Sequence, residues 1–214
     1  MRRLLRDPDD TRQVFIVLQA LRGRSGQRLF RRFQATEAGA AILEERRALL
    51  PRLQDRQALA RLPKGSLGRT YLDFMATENL TADGLVDASA SVERDAAPED
   101  VRLFQNRNRD MHDLTHVVTG YGRDPLGELC LLAFNHAQNG HLGVALIVLM
   151  GMTRLGKGPR GRAAQAAVIQ GWRQGRAAAW LSGQDWESIL AEPMETLRAR
   201  LRIAAPTRYQ AVMS

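Results

Sequence analysis

Cysteine is almost absent from this chain, which has one, Cys130. A single thiol closes no intramolecular disulfide, so the fold lacks that covalent staple and a reducing compartment suits it; Cys130 itself reads as a small core residue. Long apolar runs are missing too. The longest, Leu142 to Met152, covers 11 residues, about half of the ~20 a helix needs to cross a bilayer. It reads as a buried helix or as the wall of an apolar pocket. No stretch alternates apolar and polar residues between turn signals, which argues against a sheet. Aromatic residues make up only 6%. The opening Met1-Arg2-Arg3-Leu4-Leu5-Arg6 meets Asp7 before any apolar region develops, so a secretory signal is not expected there. What is present is 214 residues with 44% hydrophobic side chains. That is too apolar for a disordered chain and large enough for a sizeable core. The expectation is one all-α domain, residues 1–214, with two small domains left open.

Charge is plentiful but lopsided. Residues 1–69 hold 16 Lys/Arg against 7 Asp/Glu, and residues 70–214 hold 15 against 16, so the net +8 is +9 and −1. A basic first third suggests an acidic partner: an anionic membrane surface, nucleic acid or an acidic protein. No nucleic-acid motif accompanies the charge, and nucleic acid is not expected as a partner. Anionic lipid fits, each basic residue near such a surface contributing about 1 kcal/mol. Only Lys64 and Lys157 among the 31 basic residues are lysine, so biased arginine usage and a solvated face remain an alternative source of the excess.

Helix signals run the length of the chain. Asp9 or Asp10 can cap a helix through Val14, Leu18 and Leu21 that ends at Gly23. Further helices are expected over Gln27 to Phe33, over Thr36 to Leu49, and from a Ser66 cap through Leu72, Phe74 and Met75. Residues 79–98 are polar and read as the longest loop. One helix is expected from Glu99 to Thr119. Another begins at Pro125, a favoured first-turn position, and reaches Asn139. Leu142 to Leu155 follows, then a turn at 156–161. An Ala-rich helix from Arg162 to Leu181 sets Ile169, Trp172 and Ala179 on one face, with Trp172 and Trp180 expected in the core. Trp186 to Ile203 closes the pattern, divided by Pro193.

The chemistry gathers between residues 112 and 128. His112 and His116 lie four apart, on one face of a helix, so both imidazoles can address one point. Asp113 can add an oxygen at the edge of that point. Glu128 returns on the helix after the break at Gly120-Tyr121-Gly122-Arg123-Asp124-Pro125, where Arg123 and Asp124 could hold it in register. Two imidazoles and two carboxylates suit zinc or another divalent ion. The alternative is a pair of core or surface histidines. No Glu follows His112 directly, so the HExxH protease box is not formed. Two further residues are catalytic candidates. Arg109 can share the metal face, where its planar fork suits an anionic substrate group. His136, two turns beyond Glu128, could serve as proton donor or as a capped histidine.

The stretch His112–Glu128, HDLTHVVTGYGRDPLGE, resembles the HDxxH-x11-E signature of the coenzyme Q biosynthesis protein four family. Leu62-Pro63-Lys64-Gly65-Ser66-Leu67-Gly68 with Tyr71 is similar to that family's LPxGSLGxxY segment, and Leu131 to Gly140 and Asp185-Trp186-Glu187 also match its habits. The resemblance covers roughly Asp7 to Ile203. It implies an all-α bundle with a metal site between two antiparallel helices. It also implies a peripheral protein of ubiquinone biosynthesis, on the cytoplasmic side of the inner membrane. The implied activity is a lyase removing the carboxyl group at ring carbon one of a polyprenylated 4-hydroxy-3-methoxybenzoate, in some accounts with hydroxylation. The implied partners are a polyprenylated benzoate or quinone precursor and other ubiquinone-biosynthesis proteins, with a homodimer left open. Leu142, Val144, Ile147 and Val148 are the candidate wall for the polyprenyl tail. A noncatalytic lipid-binding scaffold, a metal-dependent hydrolase and, least favoured, a nucleic-acid binder are the competing classes.

Overall fold

A computed structural model describes residues 23–78, 97–156 and 160–214. The helix expected to end at Gly23 and most of the expected loop at 79–98 lie outside these residues. Among the described residues every regular element is helical, and the sole ladder pairing is an isolated bridge between Ser66 and Pro193. The all-α expectation therefore holds.

In chain order the α-helices are α1 (Gly23–Gln34), α2 (Glu37–Glu44), α3 (Leu50–Gln54), α4 (Arg56–Arg61), α5 (Leu67–Thr77), α6 (Glu99–Asp110), α7 (His112–Thr119), α8 (Pro125–Asn139), α9 (Leu142–Leu155), α10 (Gly161–Ala177), α11 (Trp186–Ile189), α12 (Met194–Leu201) and α13 (Thr207–Met213). A 3-10 turn, Leu181–Gly183, precedes α11. Local chemistry sets many of the ends. Thr36 Oγ1 accepts the Gly39 N–H at 3.0 Å and starts α2; Ser66 Oγ does the same for Arg69 at 3.4 Å and starts α5. Such caps satisfy donors that a helix leaves unpaired, each contributing about 1 kcal/mol.

The chain groups into two compact units. Among the described residues, one consists of 30–78, 97–120 and 178–204. Its core includes Phe33, Ile42, Leu67, Tyr71, Phe104 and Leu114, with the Phe33 and Phe104 rings 4.9 Å apart. The Gly65–Gly68 segment is held by backbone bonds to the region before α12: Leu67 N–H to Glu192 O at 2.9 Å, Gly68 N–H to Leu190 O at 2.8 Å, and Met194 N–H to Gly65 O at 2.9 Å. A buried pair also ties α6 to α11. Arg107 Nη2 donates to Glu187 Oε2 at 2.7 Å and Arg107 Nη1 donates to Glu187 Oε1 and, at 3.0 Å, to the Arg47 carbonyl.

Among the described residues, the other unit consists of 23–29, 121–156, 160–177 and 205–214. Its core is the packing of α8 on α10, where Leu126, Leu129, Cys130 and Ala133 meet Ala164, Ala167 and Val168. Cys130 is fully buried, as expected of a core residue, and burial pushes its thiol up to about 12. The backbones approach so closely that a Cβ at Gly175 would come within 2.3 Å of the Phe134 carbonyl oxygen. Gly175→Val is expected to destabilise the protein by at least the ~1–3 kcal/mol typical of overpacking, measured by chemical denaturation. An unchanged midpoint would mean that the two helices do not need this contact.

The small residues also correct an expectation. Because Ala164, Ala167, Gly171 and Gly175 form the face of α10 against α8, the bulky residues look outward. Ile169 is 42% exposed and Trp172 38%, with the Arg176 guanidinium 5.0 Å from the Trp172 ring centre. Trp180 is buried as expected, and Arg32 stacks on it at 4.1 Å. The helix α9 departs further from expectation. Only Gly143 is buried, while Leu142 and Leu149 are 69% and 60% exposed. No helix among the described residues is long and apolar enough to cross a membrane.

Candidate metal centre

Helix α7 carries the two histidines, and almost every group on it is buried or satisfied. The expected single helix from Glu99 to Thr119 is interrupted at Met111, whose N–H bonds back to Arg107 and Arg109 carbonyls. Thr115 Oγ1 donates to the Met111 carbonyl at 2.9 Å and Thr119 Oγ1 to the Thr115 carbonyl at 2.7 Å, so the buried hydroxyls cost the helix nothing in unmet bonds. At its C-terminal end Arg198 Nε donates to Val118 O at 2.8 Å and Nη2 to Val117 O at 3.0 Å. Those carbonyls have no partner within the helix, and a guanidinium supplies both bonds and charge at the negative end of the helix dipole. Burial lowers the Arg198 pKa from its ordinary value.

His116 is 1% exposed and stacks on Phe74, with ring centres 6.1 Å apart. His112, half-buried, meets it edge to face, and the two Nε2 atoms are 3.3 Å apart. Glu128, in the first turn of α8, is also half-buried. One ligand atom from each of His112, His116 and Glu128 falls within 4.8 Å of the others.

This donor set fits a divalent ion. With bonds of about 2.0–2.1 Å, two imidazole nitrogens at tetrahedral corners lie about 3.3–3.4 Å apart, the separation of the two Nε2 atoms here. Three protein ligands with a fourth position open is the arrangement of catalytic rather than structural zinc sites. The expected fourth residue, Asp113, is 6% exposed and stands outside this trio. Burial pushes the Tyr71 hydroxyl up, and the Asp113 charge adds to that shift.

The carboxylate end is built by the turn before α8. Asp124 Oδ1 accepts the N–H groups of Leu126 and Gly127, both at 3.0 Å, and the Asp124 carbonyl accepts the Glu128 N–H at 2.9 Å. Asp124 is thus the N-cap of the helix that carries Glu128, in keeping with its expected role in register. Arg123 is exposed. Tyr121 is buried and donates to Gln174 Oε1 at 2.9 Å.

The catalytic candidates take these positions. Arg109 donates through Nε (2.9 Å) and Nη2 (2.7 Å) to Asp110 Oδ1. Burial raises the Asp110 pKa while the Arg109 charge opposes that shift. His136, half-buried on α8, has Nδ1 3.2 Å from the His141 carbonyl. A carbonyl only accepts, so Nδ1 carries the proton and Nε2 is the basic nitrogen of the neutral ring. Phe74, Arg198 and the C-terminal Tyr209 are contributors that spacing did not reveal. Arg198 and Val118 are 80 positions apart, and no local pattern announces such a pairing.

Comparison with known proteins places these features in a wider set. A family model described as coenzyme Q (ubiquinone) biosynthesis protein Coq4 matches residues 4–207. The mitochondrial ubiquinone biosynthesis protein COQ4 homologue of Rattus norvegicus is 29% identical over 175 residues, covering 80% of this chain and 63% of the relative. The human homologue is 29% identical over 171 residues, with the same coverage of each. The chain spans about three fifths of these curated relatives. A crystal structure from Nostoc punctiforme PCC 73102, provisionally described as a ubiquinone biosynthesis protein, superposes with a TM-score of 0.68 at 23% identity. That superposition covers 92% of this chain and 90% of the other, a likeness of fold.

Proposed function

As this chain belongs to the coenzyme Q (ubiquinone) biosynthesis protein Coq4 family, we propose that it removes the ring carboxyl group from a polyprenylated 4-hydroxy-3-methoxybenzoate during ubiquinone biosynthesis. The observation that carries the reading is the convergence of His112, His116 and Glu128, with 3.3 Å between the imidazole Nε2 atoms. Asp113, buried on the same turn of α7, is proposed as their acidic neighbour, leaving the fourth position open. A divalent ion held there, zinc by preference, would supply Lewis acidity toward the carboxylate or ring oxygens. Residues 1–214 are proposed to act as one functional domain.

The chemistry asks little else of the protein. The para hydroxyl makes carbon one electron-rich, so that carbon takes a proton. The bond to the carboxyl carbon then breaks, its electron pair returns to the ring, and carbon dioxide leaves. His136, as the imidazolium, is the proposed proton source: it gives up its Nε2 proton and becomes the neutral ring whose Nδ1–H stays on the His141 carbonyl. Eight residues of helix separate His136 from Glu128 by about 12 Å, so the proton travels through water rather than by direct contact. Arg109, anchored by Asp110 through Nε and Nη2, offers the remaining edge of its fork to the substrate carboxylate.

The tail lies along α9. Gly151 packs against Leu129, next to Glu128, whereas Leu142 is at the opposite end of α9. Val148, half-buried against the α8–α10 core, leads from the head end through Ile147 and Val144 toward exposed Leu142. Apolar burial contributes about 0.8 kcal/mol per methylene-sized group, so the tail supplies most of the affinity and the head group is left to orientation. Metal analysis with mass spectrometry of co-purified lipid tests this division. Ile147→Asp is expected to lose lipid and keep metal. Loss of both with helical content intact would end the separation of tail from head, and a wild-type protein carrying neither would end the reading itself. Lipid retained without any turnover would favour a noncatalytic scaffold.

Peripheral attachment to an anionic membrane completes the reading. Arg28, Arg31 and Arg32 are exposed on α1. Their replacement by Gln is expected to weaken binding to anionic vesicles, and salt should weaken it in the wild type. Equal binding to neutral and anionic vesicles would refute the charge argument.

A further inference from the structure

The turn that carries Glu128 is gripped from far along the chain. Tyr209, on α13, is buried, with its ring edge to face against Tyr121 at 5.5 Å between centres. Its hydroxyl donates to Asp124 Oδ2 and accepts the Gly122 N–H at 3.1 Å. Both oxygens of Asp124 are therefore committed, Oδ1 to the N-cap of α8 and Oδ2 to Tyr209.

The space confirms how closely these groups are built together. A Cβ at Gly122 would come within 2.5 Å of the Tyr209 hydroxyl and 2.9 Å of Asp124 Oδ2, so a side chain at 122 would push the two apart. The helix that delivers Tyr209 is in turn fastened to α10. Gln170 Nε2 donates to Thr207 Oγ1 at 3.1 Å and Gln170 Oε1 accepts the Arg208 N–H at 3.0 Å, while Arg160 Nη1 donates to Val212 O at 2.8 Å. Tyr209 also lies outside residues 4–207, which the family model matches.

We propose that Tyr209 is a positioning residue for the metal centre: through Asp124 it fixes the start of α8 and so the direction in which Glu128 offers its carboxylate. The proposal rests on the reading of His112, His116 and Glu128 as metal ligands. Removing the hydroxyl leaves the packed ring in place and frees Asp124 Oδ2, letting the first turn of α8 move. Groups that orient a ligand from behind typically change metal affinity by about 10–100-fold, and a comparable loss is expected here.

The test is zinc competition against a chromophoric chelator, together with the visible absorption of the cobalt(II)-substituted protein. Four proteins are compared: wild type, Tyr209→Phe, Glu128→Ala and the double variant. Tyr209→Phe is expected to bind zinc about 10-fold or more weakly and to alter the cobalt spectrum. In the Glu128→Ala background the same change is expected to have no further effect, because the hydroxyl acts through Glu128. Thr36→Ala, which removes the N-cap of α2, serves as the control for general loosening, losing stability while its zinc affinity holds. Unchanged affinity and spectrum in Tyr209→Phe would overturn the proposal, as would losses that add in the double variant. A wild type that binds no zinc would instead refute the metal reading on which the proposal rests.

Discussion

His112→Ala/His116→Ala is expected to purify with little or no divalent metal, where the wild type is expected to carry the ion through its purification. The two imidazoles supply two of the three convergent ligand atoms, and Glu128 alone cannot hold an ion against water and buffer. The helix should survive. Alanine is the best helix former, and α7 keeps its Thr115 and Thr119 bonds and its Arg198 cap. The cavity left beside Phe74 by a residue only 1% exposed will lower stability, which far-UV circular dichroism and a denaturation curve quantify. Elemental analysis of matched preparations reads the metal. An unchanged metal content in a folded double variant would mean that the ion, if any, is bound elsewhere.

Arg107→Ala should be the most destabilising single change outside the candidate metal site. The side chains of Arg107 and Glu187 are 5% and 8% exposed, and Arg107 also bonds the Arg47 carbonyl at 3.0 Å. Removing one partner of a buried ion pair leaves the other as an uncompensated charge, at a cost of about 3–5 kcal/mol. Replacing both, as Arg107→Met/Glu187→Met, removes the stranded charge and should recover much of that loss. Urea titrations of the two variants decide the matter. If the double replacement is no better than Arg107→Ala, the pair acts through something other than charge burial, such as the bond to Arg47.

Local rules made the helices and the convergence of His112, His116 and Glu128 legible. Thr36, Ser66 and Pro125 announce their helix starts through side-chain caps or fixed backbone angles, and all three stand where the pattern put them. The four-residue step from His112 to His116 is a property of any helix, so the meeting of their Nε2 atoms followed from spacing. Longer-range choices were not legible. Apolar periodicity located α10 but not its inward face, because glycine and alanine won the close contact with α8 and left Trp172 and Ile169 outside. The apolar composition of α9 suggested burial, yet Leu142 and Leu149 are exposed. Tyr209 meets Asp124 across 85 positions, and Glu187 meets Arg107 across 80. Partners of that kind are selected by the folded chain and carry no signature in the local pattern.

The most direct test of the central claim uses a polyprenylated 4-hydroxy-3-methoxybenzoate carrying isotopic label in its carboxyl carbon. It is supplied in vesicles to the metal-loaded protein, and labelled carbon dioxide is measured with and without oxygen. The account predicts release of label by the wild type and loss of that release in His112→Ala/His116→Ala. No release from a folded, metal-loaded wild type that retains the lipid, or equal release from the double variant, would contradict it.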